Sequence, residues 1–440
     1  MRLIRWRRAG AALAVTAWCT SGLMAQEPDT TEIARLKAQI DAITREIEEL
    51  KLGREVVARA DTAQYGLGPA ASKVYRAPEG VSLGGYGEVL YEHFREVRED
   101  NQLSGRTDQL DALRLIAYLG YKFSDKFLFN SEIEFEHGST GRGGEASIEF
   151  AYLDYRLSSR LGLRGGVLLV PMGLTNELHE PPTFLGTTRP LTEQVIVPST
   201  WREGGLGVFG NLGDLAYRVY LINGLDAVGG GSSAASGFSG GGIRGGRQNA
   251  ARALAEELAG VARLDYMGVL GLTVNGSAYL ENSKQNRTVT TAGGSVDLGA
   301  RTVIWEGHLA YQWRGLDLRG LVAMATVDQA AALNVARSLT GAASVGERMV
   351  GWYAQAGYDV LRSTRTGHQL VPYVRYERVN TQDRVPAGFA ANPANDRRIV
   401  SLGGAWRPIG NIALKVDYQF QHNEARTGVG QLNANLSYLF

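Results

Sequence analysis

Alternation of apolar and polar residues runs through the last thirty residues of this 440-residue chain and restricts what it can fold into. In 411–421 the even-numbered residues are apolar, and a similar pattern runs through 430–440 to the terminal Phe440. Successive side chains of a β-strand point to opposite faces, so each segment is a strand with one apolar and one polar face. Soluble antiparallel sheets also alternate, but aromatic residues at the ends of the apolar face are typical of an outer-membrane barrel.

Residues 1–25 have the composition of a secretory signal peptide. Arginines near the start precede an apolar stretch, and Ala25 is a small residue at a suitable cleavage site. Cleavage would remove Cys19, the single cysteine, and would change the formal net charge from +1 to −3, because four arginines and no acidic residue are lost. No run of about eighteen apolar residues is present, which excludes a membrane-spanning helix. Nothing in the composition indicates a nucleic-acid partner.

Residues 26–80 divide into a predicted helix and a predicted linker. Apolar residues recur at spacings of three and four over about three heptads, which predicts a short coiled coil that is compatible with trimers. An amphipathic helix packed on its own domain would show the same pattern. The predicted domains are thus a signal peptide at 1–25, a periplasmic coiled coil and linker at 26–80, and an outer-membrane barrel at 81–440. The apolar positions of the heptads are Ile33, Leu36, Ile40, Ile43, Ile47 and Leu50.

Sixteen candidate strands can be marked from residue 81 onward. The breaks between them alternate between short and mostly long, as in barrels whose short turns face the periplasm. We therefore predict an all-β fold, a transmembrane antiparallel β-barrel of about 16 strands, with outward aromatic residues at the periplasmic ends. The strands are expected near 81–94, 109–123, 126–137, 145–157, 160–170, 201–211, 214–223, 258–267, 269–281, 301–313, 315–327, 348–360, 369–379, 397–407, 410–421 and 428–440.

Several segments between 110 and 225 carry a family resemblance. They include 149–156 (EFAYLDYR), 163–174 (LRGGVLLVPMGL) and 201–207 (WREGGLG). Their order, with the signal peptide, the heptads and the terminal Phe440, resembles the phosphate-selective porin O and P family. The resemblance implies a homotrimeric channel in the outer membrane of a Gram-negative cell, surrounded by lipid and passing small hydrophilic solutes, inorganic phosphate or other anions among them. Only seven lysines occur, which departs from a pore lined by basic residues.

Charged residues on the polar faces of the strands are predicted to line the pore. Ion pairs that brace the barrel wall are the simpler role for them, and a solute site is the alternative. Acidic residues concentrate on one part of the sheet and basic residues on another, which would impose a transverse field on a solute. The predicted pore-lining residues are Arg114, Glu132, Glu134, Glu136, Glu149, Arg263, Arg319, Arg375 and Lys415.

The long insertion at 171–200 is the predicted pore constriction. Five prolines and several apolar residues indicate an ordered loop, and the third outer loop of sixteen-stranded porins folds inward. The slight acidic excess predicts a weakly selective pore with a mild preference for cations rather than a dedicated phosphate channel. The Gly/Ser-rich stretch 229–246, by contrast, is expected to be a mobile outer loop. The predicted constriction residues are Glu177, His179, Glu180, Arg189, Glu193 and Arg202.

Motifs for catalysis are not recognisable in the chain. The glycines of 205–210 match a dinucleotide fingerprint, but they lie in a β segment with no following helix. We therefore expect no enzyme, metal or cofactor, although a hydrolase site assembled in space would leave no spacing signal. Two other classes stay open, namely a barrel that serves as an anchor or adhesin without conducting, and a soluble secreted β protein whose apolar face a second sheet covers.

Overall fold

The computed structural model describes residues 34–35, 38–42 and 63–440, except 140, 142, 292, 293 and 298. The chain divides into two units, 1–56 and 57–440. In the first unit 34–35 and 38–42 are helical, as the heptads predict, but of the heptad positions only Ile40 is described. The predicted signal peptide and the rest of the predicted coiled coil lie outside the described residues. None of the described helices is long and apolar enough to cross a membrane.

Sixteen antiparallel strands of the second unit form a closed barrel, which confirms the predicted fold class. The first strand pairs with both the second and the last, so the sheet has no free edge. Two further strands, β10 and β11, form a separate hairpin in a long loop. The strands are β1 (Gly80–Phe94), β2 (Gln109–Lys122), β3 (Phe127–Glu136), β4 (Ala146–Ser158), β5 (Leu161–Leu169), β6 (Arg202–Leu212), β7 (Leu215–Asn223), β8 (Leu258–Val269), β9 (Leu272–Asn282), β10 (Thr288–Thr291), β11 (Gly294–Asp297), β12 (Arg301–Trp313), β13 (Leu316–Val327), β14 (Arg348–Tyr358), β15 (Gln369–Arg384), β16 (Asp396–Ile409), β17 (Ile412–Asn423) and β18 (Gln431–Leu439).

The two faces of the wall follow the alternation in the sequence. In β17, Leu414 and Val416 are exposed on the outside while Lys415 and Asp417 are buried inside. Among the described residues, no second sheet covers the outer face, since the only other sheet is the small hairpin. So large an exposed apolar surface calls for lipid around it. The end of the barrel with the short turns is here called the turn end. Exposed aromatic residues at this end include Tyr121, Phe123, Phe127, Tyr266, Trp313, Tyr358, Trp406, Tyr438 and Phe440.

A bulge in β4 changes which residues face the lumen. Glu132 pairs with Phe150 and Ile133 pairs with Ile148, so Glu149 is the extra residue. Both Glu149 and Phe150 are therefore buried on the inner side of the wall. The bulge therefore places the Glu149 carboxylate in the lumen next to the Phe150 ring.

Residues 63–79, which the sequence predicts to be part of a linker, pack inside the turn end of the barrel. Their regular structure is one short 3-10 turn at Lys73–Tyr75. Leu67, Ala70 and Val74 are each at most 2 % exposed and join the apolar cluster of the lumen. Small apolar side chains without a helical or strand period gave no sequence signal for this packing.

Candidate pore and its constriction

The loop between β5 and β6 lies inside the barrel. Its two ends are tied together, since the Val170 N–H donates to the Trp201 carbonyl at 2.9 Å. The Asn176 side chain donates to the carbonyl oxygens of Val170 and Trp201 and accepts from the Trp201 N–H at 2.6 Å. Trp201 is fully buried beside Tyr279 of β9, with ring centroids 4.8 Å apart. These contacts direct the loop into the lumen rather than outward.

The wall formed by β13 to β17 holds the backbone of this constriction loop. Lys415 donates from Nζ to the carbonyls of Pro181 at 2.6 Å and Gly186 at 3.0 Å. Asp417 accepts from the N–H of Thr187 at 2.8 Å. Lys415 therefore positions the loop and does not face open water. Further backbone contacts of the same kind join Arg319 to Thr183, Arg375 to Thr188 and Glu377 to Thr192.

We expect the Lys415 contacts to contribute measurably to stability. In Lys415→Met the two loop carbonyls lose a charged donor, so the free energy of unfolding should fall by about 1.5–3 kcal/mol. Denaturant unfolding of the reconstituted barrel measures this change. Lys126→Met, on an exposed residue of a short turn, is the matched control and should change stability by less than about 0.5 kcal/mol. Equal stability of both variants would mean that the loop is held without Lys415.

The predicted constriction carboxylates are buried and have partners. Glu177 forms ion pairs with Arg218 at 3.2 Å and Arg263 at 3.4 Å. Glu193 accepts hydrogen bonds from Thr175 and from the Tyr353 hydroxyl at 2.7 Å. Since the loop acids are at most 3 % exposed, they present no free charge to a passing solute.

A second part of the predicted site lies on β2 to β4 beside the loop. His179 contacts Glu132, with Nε2 and Oε1 3.0 Å apart. Arg114 forms an ion pair with Glu88 at 2.9 Å and lies 3.9 Å from Glu134. The Arg114 contacts join β2 to β1 and β3, as the wall-bracing hypothesis expects, whereas the His179 contact joins the constriction loop to β3. Glu136, the last residue of β3, is half-buried. The other predicted site residues make contacts between Arg202 and Glu149, between Arg189 and Thr200, and between Glu180 and the N–H groups of Ala70 and Ala71.

The loop after β7, which includes the Gly/Ser-rich stretch 229–246, packs over the other end of the barrel, here called the loop end. The Gly240 N–H donates to the Ala343 carbonyl at 2.9 Å, and the Gly240 carbonyl accepts from Thr381 at 2.6 Å. A Cβ on Gly240 would lie 2.1 Å from the Ala342 carbonyl oxygen, so glycine allows this close approach. The expectation of a mobile loop, drawn from composition, does not describe this packing.

Two arginines of the same loop were missed by the sequence analysis. Arg244 and Arg247 donate to the carbonyls of Ser199 and Thr200, at the end of the constriction loop. The Ile243 N–H donates to the Val195 carbonyl at 3.2 Å. The two loops therefore form one assembly. Arginines within a Gly/Ser-rich stretch give no periodic signal that could have placed them in the lumen.

Several arginines along the lumen keep a side-chain nitrogen atom without a partner. In the part of the chain that the structure describes, Arg189, Arg375, Arg397 and Arg407 each keep a buried side-chain nitrogen without a hydrogen-bond partner. Arg397 lines a cavity of about 300 Å³ at the loop end together with Arg106. Arg407 lines a cavity of about 730 Å³ at the turn end. Within the described ranges, no group of three or more His, Cys, Asp or Glu side chains is arranged to hold a metal ion.

Comparisons with known proteins support the fold. No protein-family model matches the chain, so the resemblance to the phosphate-selective porin O and P family is not confirmed. An uncharacterized protein of Aquifex aeolicus (strain VF5) is 38% identical over 377 residues, which make up 84% of this chain and 82% of that protein. The structure of Salmonella typhi OmpF in complex with daunomycin matches with a TM-score of 0.52 at 13% identity, covering 82% of this chain and 97% of that chain. At this identity the likeness concerns the fold alone.

Proposed function

This chain belongs to the same protein family as the Aquifex aeolicus protein, and we propose that it is an outer-membrane porin through which small hydrophilic solutes diffuse passively. The observation that carries this proposal is a closed sixteen-stranded barrel with an apolar outer face and a polar lumen that an inward loop narrows. Closed barrels satisfy all backbone hydrogen bonds in lipid, and a charged lumen admits water. Export by the predicted signal peptide and assembly into a homotrimer belong to the same proposal.

Conductance in a planar bilayer tests the function. Purified protein should give discrete steps, grouped in threes if the homotrimer is retained. A correctly folded barrel that stays silent would favour the second candidate, an anchor or adhesin. One observation supports the anchor or adhesin: buried residues of the constriction loop, of the loop after β7 and of 63–79 form one cluster inside the barrel. This packing reduces the space through which a solute could pass.

Charge selectivity is the finer part of the proposal. The loop acids that were expected to favour cations are buried, and Glu177 is paired with Arg218 and Arg263. The side chains of Arg189, Arg397 and Arg407 are partly exposed, and within the described ranges each keeps a nitrogen atom without a hydrogen-bond partner. Selectivity follows the charges that a solute meets in the narrow part of a pore. We therefore propose that small anions, inorganic phosphate among them, pass more readily than cations, in place of the mild cation preference that counting charges in the loop predicted.

Reversal potentials in a salt gradient measure this selectivity. Arg397→Gln should lower the anion-to-cation permeability ratio by about twofold, since one partly hydrated charge is worth roughly 0.5 kcal/mol. Arg301→Gln is the matched control, because Arg301 is exposed and paired with Asp328 away from the cavities. A cation-selective pore that neither substitution affects would overturn the anion proposal and restore the acidic residues as the selective charges.

A further inference from the structure

The segment 63–79 is held at the turn end of the lumen by polar contacts. The Glu180 carboxylate of the constriction loop accepts from the N–H groups of Ala70 at 3.0 Å and Ala71 at 2.8 Å. The Tyr75 hydroxyl donates to Asp154 of β4 at 2.7 Å. Charged acceptors make these bonds stronger than neutral ones. The segment is thus attached to both the constriction loop and the barrel wall.

Other features oppose a permanent attachment. Lys73 is buried, and within the described ranges its Nζ has no hydrogen-bond partner. An unpaired buried ammonium is costly, so water would stabilise this group if the segment left the lumen. The only β-bridge of the segment among the described residues is internal, between Gln64 and Leu67. No strand pairing with the wall would therefore have to break.

The junction with β1 allows the segment to turn. Gly80 has a φ of +116°, a conformation that glycine adopts without strain. An added Cβ there would meet no atom within 4 Å, so the surroundings leave room for movement. Gly80 is the first residue of β1 and thus the covalent junction between the segment and the barrel wall.

Two cavities at the turn end share the segment as part of their walls. Pro69 lines the cavity of about 730 Å³, and residues 63–66 line another of about 650 Å³. We propose that residues 63–79 form a displaceable plug, which separates these cavities when seated and joins them into one outlet when it withdraws. This inference rests on the proposed channel function and gives that channel a gate at its turn end.

Thiol labelling tests the movement without requiring conduction. With Cys19 removed along with the predicted signal peptide, an introduced cysteine would be the single thiol of the exported protein. The cysteine of Ala71→Cys is buried while the plug is in place. The control is Asp125→Cys in a short turn, because the native Asp125 side chain is 93% exposed. If the withdrawn state holds 0.1–10% of the molecules, a maleimide should label Ala71→Cys roughly 10- to 1000-fold more slowly than Asp125→Cys, and to completion. Absence of labelling after about 10⁴ times the period that the control needs would overturn the plug, because so rarely populated a withdrawn state could not act as a gate.

A disulfide lock tests the effect on conduction. A Cβ built on Gly120 of β2 lies 2.8 Å from the Val74 Cβ, so the double variant Val74→Cys with Gly120→Cys requires an outward shift of about 1 Å to reach disulfide geometry. The oxidised double variant should conduct at least about twofold less than the reduced one, because the two cavities are of similar volume and joining them widens the outlet. The single variants should not respond to reductant.

The two readouts separate the plug from the channel. Complete labelling of Ala71→Cys in a barrel that never conducts would support the plug and refute the channel. Conduction that the lock leaves unchanged, with Ala71→Cys unlabelled, would support the channel and refute the plug. Folding of each variant is checked by the migration of the unheated barrel in a gel.

Discussion

Replacing Val416 with Arg should destabilise the barrel in a lipid bilayer by about 2–4 kcal/mol. Val416 is 52 % exposed on the outer face of β17, where it pairs with Ala434 in the central part of the wall. A charged side chain at this height has only hydrocarbon around it if the outer face contacts lipid. Equilibrium unfolding in denaturant, with the protein reconstituted in lipid vesicles, measures the change.

The matched control is an apolar residue that is at least as exposed but lies outside the barrel wall. Leu103, in the loop between β1 and β2, is 80 % exposed. Leu103→Arg should change the free energy of unfolding by no more than about 0.5 kcal/mol, because water solvates the guanidinium there. Similar costs for both substitutions would refute the lipid-facing assignment and with it the membrane barrel.

The barrel could be predicted because a wall between lipid and a polar lumen imposes a period of two on every strand. The last two strands were expected near 410–421 and 428–440 and are found at Ile412–Asn423 and Gln431–Leu439. The orientation of β6 could not be assigned from the sequence. Its glycines, Gly204, Gly205, Gly207 and Gly210, carry no side chain that would mark a face.

The site was harder to predict because its charges find partners far away in the sequence. Glu177 was identified as a loop acid, but its partners Arg218 and Arg263 lie on β7 and β8. The sequence gives the number of charges and not their pairing, and pairing decides which charges a solute meets. The position of residues 63–79 in the lumen could not be predicted either, because the group that accepts from Ala70 and Ala71 is Glu180, which is more than a hundred residues away in the sequence.

Removing residues 180–195 should raise the single-channel conductance several-fold. These residues run along the wall of β14 to β17, where Leu185 packs with Val371, Tyr373 and Ala405 in a buried cluster. A short Gly/Ser connection in their place would return the space to water. The wall groups that now bind the loop backbone would be hydrated instead, so the barrel itself should still fold.

A deletion of similar kind elsewhere in the barrel controls for loop shortening as such. The hairpin β10–β11, at 288–297, pairs only with itself among the described strands, so replacing it should leave the conductance unchanged. Because the 180–195 deletion also removes Glu180, which binds Ala70 and Ala71, it should release residues 63–79 as well. Thiol labelling of Ala71→Cys in the deletion variant should therefore approach the rate of Asp125→Cys. If the conductance of the two deletion variants were the same, the constriction would lie elsewhere, with the loop after β7 as the next element to shorten.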